Sequence, residues 1–211
     1  MKKEFDKFPE AFAGQDLYGF SWLEYTAAVP SPLVVVTTYK SNGKPNATMQ
    51  SWCTFTGEEG YHCIFSSVHK SGHMYRSLKE TGCCVVNFPS ADILNKCMDT
   101  INNNGFETDE ITASGLTAEP SVRVNAPRIK ECFLNMDCEF EWEHDLSGDG
   151  THATVCVKVT GISMDDRRYN DGDLGRYGET GYLYNIHSPR DPETGECSDT
   201  YAGILSKFMK L

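Results

Sequence analysis

Leu33-Val34-Val35-Val36-Thr37-Thr38-Tyr39, then Ser41-Asn42-Gly43-Lys44-Pro45-Asn46, then Ala47-Thr48-Met49-Gln50-Ser51-Trp52-Cys53: this stretch decides the fold. The first run is almost wholly β-branched or aromatic, which favours an extended, pleated backbone. The middle run is Asn-Gly turn chemistry and the third run extends again, so the three read as strand, tight turn, strand. A further apolar run, Tyr61 to Ser67, leads into His69-Lys70-Ser71-Gly72-His73, where a helix should begin, and Cys83 to Phe88 is another strand. A helix N-terminus offers unpaired backbone N–H groups and the positive end of the helix dipole, which suits an anion such as phosphate.

The same period-two pattern continues toward the C-terminus. Leu134 to Trp142 has an apolar residue at every even position and a polar one at every odd position, the mark of a strand with one buried and one wet face. Ala153 to Ile162 alternates similarly. The intervening Ser147-Gly148-Asp149-Gly150 is turn chemistry, so these runs predict an antiparallel hairpin. Gly181 to Ile186 is a further strand. Helical pattern is confined to short pieces: Gly72 to Glu80 capped by Ser71, Ala91 to about Thr100 capped by Ser90, and a tail from Ala202 to Leu211. Many strands, few short helices and no strand–helix alternation predict a mainly β, antiparallel barrel with peripheral helices.

Two segments stand apart. Residues 1–28 hold Phe5, Phe8, Phe12, Tyr18, Phe20, Trp22 and Tyr25, more apolar surface than a solvated tail should expose. They read as an aromatic-rich extension that must pack somewhere, ahead of one domain over 29–211. Residues 165–200 are rich in Asp, Gly, Arg and Pro and read as long surface loops around the Tyr182 strand.

The chain has 211 residues, enough for one domain with a full core. Its net charge of -11, from 30 acidic residues against 19 Lys and Arg, repels nucleic acid phosphates and argues against a DNA or RNA role. No run approaches the roughly 18 apolar residues of a membrane-spanning helix. The N-terminus lacks the apolar core of a secretory signal, so the expected location is cytoplasmic, with no membrane partner. The nine cysteines include no Cys-x-x-Cys pair, so reduced core thiols are expected rather than a metal site.

Several catalytic signatures fail. There is no Gly-x-Ser-x-Gly elbow, no phosphate-loop Gly-Lys-Ser/Thr and no His-Glu-x-x-His motif. Gly148-Asp149-Gly150-Thr151-His152-Ala153 matches a dinucleotide-binding pattern, but strand periodicity follows where that motif must open a helix. His69-Lys70-Ser71-Gly72-His73 has two readings: an anion grip built from a fixed charge, a hydroxyl and imidazole donors, or a solvated turn whose serine caps a helix. Met49 to Thr54 reads as an amphipathic strand able to line a pocket, and Asn87 before Phe88-Pro89 as a strand-end cap.

The order of these pieces carries a resemblance. Pro30-Ser31-Pro32 before the first strand, Asn42 to Ala47 followed by Ser51-Trp52, Val85-Val86-Asn87-Phe88-Pro89-Ser90, Ser114-Gly115-Leu116-Thr117, and Ala126 to Cys132 together resemble the flavin reductase-like, FMN-binding split-barrel family, particularly its flavoredoxin-type branch. The resemblance spans roughly residues 29 to 165, with a weaker match through the Tyr182 strand. It implies a homodimeric split β-barrel with FMN near the subunit interface. Thr48, Met49, Gln50, Ser51 and Trp52 would run along the isoalloxazine ring. Ser67, His69, Lys70, Ser71 and His73 would hold the phosphate, and Asn87 would lie near the flavin. The family often has Arg and Thr in the phosphate turn, where this chain has His, Lys and Ser.

The implied function is an FMN-binding oxidoreductase that passes electrons from NADH or NADPH, or from a reduced protein donor, through flavin to an acceptor. No catalytic residue of the chain's own is expected, because the cofactor carries the chemistry. The alternative is a flavoredoxin-type electron carrier that exchanges electrons with a ferredoxin-like donor or acceptor without nicotinamide turnover. A small-molecule-binding or haem-binding split barrel is a third reading.

Overall fold

The alternating runs pair with one another, and the order in which they pair shapes the molecule. The structure, a computed structural model, describes residues 1–146, 148, 150–169 and 175–210. In chain order the elements are α1 (Trp22–Ala27), β1 (Ser31–Pro32), β2 (Val34–Tyr39), β3 (Pro45–Gln50), β4 (Cys53–Thr56), β5 (His62–His69), α2 (His73–Thr81), β6 (Cys83–Phe88), α3 (Leu94–Asn102), α4 (Glu110–Ala113), β7 (Ala118–Pro120), β8 (Pro127–Ile129), β9 (Leu134–His144), β10 (His152–Met164), α5 (Asp166–Tyr169), β11 (Leu183–Asn185) and β12 (Ala202–Ile204).

Seven strands form one antiparallel sheet in the order β3-β2-β6-β9-β10-β5-β4. The two edge strands, β3 and β4, are consecutive in sequence and joined only by Ser51 and Trp52. In a flat sheet those edges would lie roughly 29 Å apart, at about 4.8 Å per strand. The three Cα–Cα steps from Gln50 to Cys53 reach at most about 11 Å. The sheet must therefore curl until its edges approach, which makes a half-barrel with a seam at Ser51–Trp52. A small sheet in the order β1-β11-β12 and the β7–β8 hairpin flank it.

Both faces of the curled sheet are covered. On one, Val34, Val36, Phe65, Val86, Met136, Val155 and Val157 meet Met74 and Leu78 of α2. On the other, Val35 and Ala47 pack with Cys97 of α3, Ile111 of α4 and Ile129. Burial on both sides explains why β2 reads as a continuous apolar run rather than alternating. Each fully buried valine contributes about 1.5–3 kcal/mol of hydrophobic stabilisation. Helix α2 stops at Gly82, which takes φ +71° in the left-handed region and caps Leu78 O.

The structure corrects several local expectations. The strand expected to run unbroken from Ala47 to Cys53 divides at the seam, because the chain must cross there between sheet edges. Ser71 is not the cap of α2: Gly72 is, and no side chain caps it. Ser90 Oγ turns to the Asp92 carboxylate, and its helix opens with a 3-10 turn at Ala91–Ile93 before α3. The expected C-terminal helix is absent over 202–210, and Ala202–Ile204 pairs with Leu183–Asn185 instead. Ten residues are marginal as a helix in water, whereas β11 offers a ready ladder. Ser147 and Asp149 of the expected turn, 170–174 of the expected loops and Leu211 of the tail lie outside the described residues. The aromatic lead-in packs in part on its own chain: Phe12 and Tyr25 are buried, while Phe5, Phe8 and Tyr18 stay exposed.

Candidate functional site

Curling the sheet brings Ser51 and Trp52 to the line where its edges meet, and Trp52 lines two clefts there. The first, of about 350 Å3, is walled by Met49, Gln50, Ser51 and Trp52, by Leu94, Met98 and Ile101 of α3, and by Asn185 and Tyr201. The second, of about 370 Å3, sets Phe20, Glu24, Tyr25, His187 and Arg190 around the same indole. Trp52 is held from three sides. Its Nε1–H donates to Glu24 Oε1 at 2.9 Å, the Phe20 ring lies 4.7 Å away, and its carbonyl accepts the Ser66 N–H at 2.8 Å. Ser51 Oγ accepts from Asn185 Nδ2 at 3.0 Å. Ser51 and Trp52 belong to neither flanking strand, so their N–H groups fall outside the β3 and β4 ladders.

The turn after β5 forms the second part of the site. The register between β5 and β10 shifts between Ala153 and Val155, and Ser67 takes φ +54°, a conformation rare for any residue but glycine. Strain of this kind persists where surrounding contacts enforce it, often beside a functional site. A third cleft, of about 460 Å3, is lined by Ser67, His69, His152 and Phe20. The Ser71 N–H donates to His69 Nδ1 at 3.2 Å, so that nitrogen presents a lone pair and the ring is the tautomer protonated at Nε2. The His152 ring stands edge-on to His69, centroids 4.7 Å apart. Lys70 extends toward Asp145, 3.9 Å away. Gly72 caps α2 without a side chain, and among the described residues no side chain is recorded accepting from its first-turn N–H groups.

The eleven residues nominated from sequence therefore separate into groups. Met49, Gln50, Ser51 and Trp52 line the first cleft, and Ser67 and His69 line the third. Lys70, Ser71 and His73 continue from the third cleft along the turn into α2. The two parts meet through the Ser66–Trp52 hydrogen bond and through Gln50 Nε2, which lies 3.6 Å from Met74 Sδ. Thr48 lines none of these clefts, and its hydroxyl accepts from Asn46 Nδ2 at 3.2 Å. Asn87 is fully buried and satisfied: its amide donates to Val35 O and Thr37 Oγ1, both at 2.9 Å, and its Oδ1 accepts from Ile129 N and Asn135 Nδ2, also at 2.9 Å. It ties four segments together and presents no free group to a cleft.

Sequence reasoning missed Glu110. Its side chain is wholly buried, and its Oε1 pairs with the equally buried Lys40 ammonium at 2.9 Å. The same oxygen faces His73 Nδ1 at 3.4 Å, while Oε2 accepts the Ala47 N–H at 2.9 Å. One carboxylate thus fixes the start of β3 and the first residue of α2. Nothing in the periodicity around Asp109-Glu110 marks it, because its partners lie 37 to 70 positions away in sequence. Glu24, His187 and Asn185 were also missed, for the same reason. A larger cleft of about 720 Å3, lined by Asp92, Glu131, Asp165, Arg167 and Arg168 among others, contains none of the nominated residues.

Eight of the nine cysteines are buried and Cys197 is exposed, and all nine are free thiols. Burial pushes the Cys63 and Cys132 thiols up. A hydrogen bond with Cys138, then burial, does the same for Cys84. Among the described residues no group of three or more His, Cys, Asp or Glu is placed to hold a metal ion, and no helix is long and apolar enough to cross a membrane.

Residues 26–184 match the model of the flavin reductase like domain. A relative, an uncharacterized protein of Methanothermobacter thermautotrophicus, is 25% identical over 146 residues, covering 69% of this chain and 68% of its own length. Nitrilotriacetate monooxygenase component B from Bacillus cereus is similar in structure, with a TM-score of 0.74 at 17% identity over 93% of this chain and 96% of its own. Flavoredoxin of Desulfovibrio vulgaris (Miyazaki F) has a TM-score of 0.67 at 19% identity over the same shares of the two chains. The half-barrel is the split barrel of flavin reductases. The chain belongs to the flavin reductase-like family, whose chemistry is flavin-linked oxidation and reduction.

The residues present fit a flavin with a phosphate tail. The first-turn N–H groups of α2, the Ser67 hydroxyl and the Lys70 ammonium gather at the turn, the donor set an anion needs, while the Ser71 hydroxyl is spent on His69 Nδ1 at 2.7 Å. The seam supplies an apolar wall from Met49, Trp52 and Met98 with polar groups from Gln50, Ser51 and Asn185 beside it, as a planar heterocycle requires.

Proposed function

We propose that this chain binds FMN, with the ring along Met49 to Trp52 and the phosphate at Ser67 to His73, and passes electrons from NADH or NADPH, or from a reduced protein donor, to an acceptor. The single observation that carries this reading is the seam: the link between the sheet's edges places a cleft wall and unladdered N–H groups beside an uncapped helix start. Bound FMN would supply hydride and electron transfer. The chain's own residues do the rest. The Ser51 and Trp52 N–H groups orient the ring, Lys70 and the α2 N–H groups hold the phosphate, and Met49 and Trp52 keep water from the apolar part. Thr48 and Asn87 support the strands from behind.

We further propose a homodimer in the cytoplasm. Met98, Ile101 and Tyr201 are exposed at the rim of the first cleft, apolar area that a second copy would cover while closing the site. Light scattering on the FMN-loaded protein should give about twice the 23.6 kDa chain mass.

The likeness to flavoredoxin favours a second reading, an electron carrier serving a ferredoxin-like partner. An absorbance spectrum followed by anaerobic titration with NADH and NADPH tests both. Flavin bleaching by either nucleotide supports the reductase. Bleaching only by a reduced protein donor supports the carrier, and failure to acquire flavin absorbance rejects both.

A further inference from the structure

We infer that Glu24 is a positioning residue for Trp52: together with His187 it fixes the indole as the partition between the two clefts it lines, and so sets the shape of the flavin site. The inference rests on the function proposed above, but its observations stand apart from any ligand. Glu24 Oε1 accepts the Trp52 indole N–H at 2.9 Å, and His187 Nδ1 lies 3.3 Å from the same oxygen. His187 is buried, and its Nε2 lies 2.7 Å from Ser31 Oγ. Its backbone N–H donates to Asn185 Oδ1 at 2.9 Å, and the Asn185 amide in turn donates to Ser51. Segments near both ends of the chain thus converge on the two residues that join the sheet's edges.

An indole is a donor only, so one acceptor decides which way its N–H points. The Phe20 ring packs against Trp52 at an interplanar angle of 33°, and apolar contact of that kind fixes the plane less strictly than a charge-assisted hydrogen bond. His187 and Ser188 are consecutive non-glycine residues at φ +55° and +47°, conformations that persist only where the surroundings over-determine them. The Ser31–His187–Glu24 order is that of a hydrolytic triad. Here, however, the carboxylate also holds the indole, and Ser31 lines none of the clefts described above. The positioning role accounts for both of the carboxylate's partners.

The test reads Trp52 itself. The chain has three tryptophans, so an ¹⁵N-labelled sample shows three indole N–H signals, and Trp52→Phe assigns one by its loss. Glu24→Ala should move that signal toward the position of a solvent-exposed indole, leaving the Trp22 and Trp142 signals in place. Glu24→Gln, which keeps the volume and an acceptor oxygen, should move it less and covers the case in which the alanine variant fails to fold. FMN affinity should fall about three- to tenfold in Glu24→Ala, with no further fall when Glu24→Ala is added to Trp52→Phe. An unmoved Trp52 signal, or an equal loss of affinity in the Trp52→Phe background, overturns the inference. So does covalent labelling of Ser31 by a fluorophosphonate that depends on His187. Should the parent protein not bind FMN, the flavin reading fails while the indole signal still decides the positioning role.

Discussion

Asn87 and the Ser51–Trp52 pair are both polar interruptions of apolar strands, and the fold uses them in opposite ways. Asn87 sits one residue from the end of β6, buried, with donors and acceptor all spent on neighbouring segments. Ser51 and Trp52 sit where the ladder stops, held by side chains while their backbone N–H groups stay out of both ladders. Lys40–Glu110 repeats the closed arrangement with charges, and the Ser67–His73 turn repeats the open one. The difference teaches that polarity alone does not mark a site. What marks it is polar capacity left over after the protein's own hydrogen bonds are counted.

The largest expected effect breaks a closed region. Glu110→Ala leaves the buried Lys40 ammonium without its counter-charge, held only by Gly105 O and Thr108 O, and should cost about 3–5 kcal/mol of stability, measured by urea unfolding. A loss under roughly 1 kcal/mol would mean that water reaches the pair. Asn87→Ala strands the Ile129 N–H and leaves the Asn135 amide only Ile129 O as acceptor, and should cost about 2–3 kcal/mol. FMN affinity of the folded protein should hardly change. Weaker flavin binding at unchanged stability would move Asn87 from the closed class to the open one.

The open regions should respond the other way round. Lys70→Ala should weaken FMN binding by about 1–2 kcal/mol by fluorescence titration, with almost no shift in the urea midpoint. Equal affinity in parent and variant would remove Lys70 from the phosphate grip. The smallest perturbation is chemical labelling of the thiols. Native iodoacetamide should modify Cys197 quickly and the eight buried cysteines only on unfolding, because burial keeps the reagent out and, at Cys63 and Cys132, also pushes the thiol up so that little thiolate forms. A denatured, non-reduced sample should show nine free thiols, and a disulfide in protein from a reducing host would contradict the structure.

Much of the fold was legible because strand periodicity is local. Val34 to Tyr39, Cys83 to Phe88 and Leu134 to Trp142 state their own conformation, and the Asn42-Gly43 turn states how two strands join. The seam was not legible. Residues 47–53 keep a strand-like pattern through Ser51–Trp52, and only the pairing order of all seven strands shows that the chain must cross there. The clefted residues Met49 to Trp52 and the Ser67–His73 turn are nominated by their order along the chain, whereas Glu24, Glu110 and His187 depend on contacts 28 to 163 positions distant, which no window on the sequence contains. The expected helix at 202–211 failed for a related reason, since an unpaired strand edge outcompetes a short helix.

The central claim is that leftover polar capacity at the seam and the turn serves one phosphorylated flavin. Side-by-side fluorescence titrations with FMN and riboflavin test it most directly, since the two ligands share the ring and differ in the phosphate. The account predicts saturable binding of both, with riboflavin weaker by at least about tenfold for the lost charge-assisted contacts. Equal affinities, or no saturation with FMN, would contradict it.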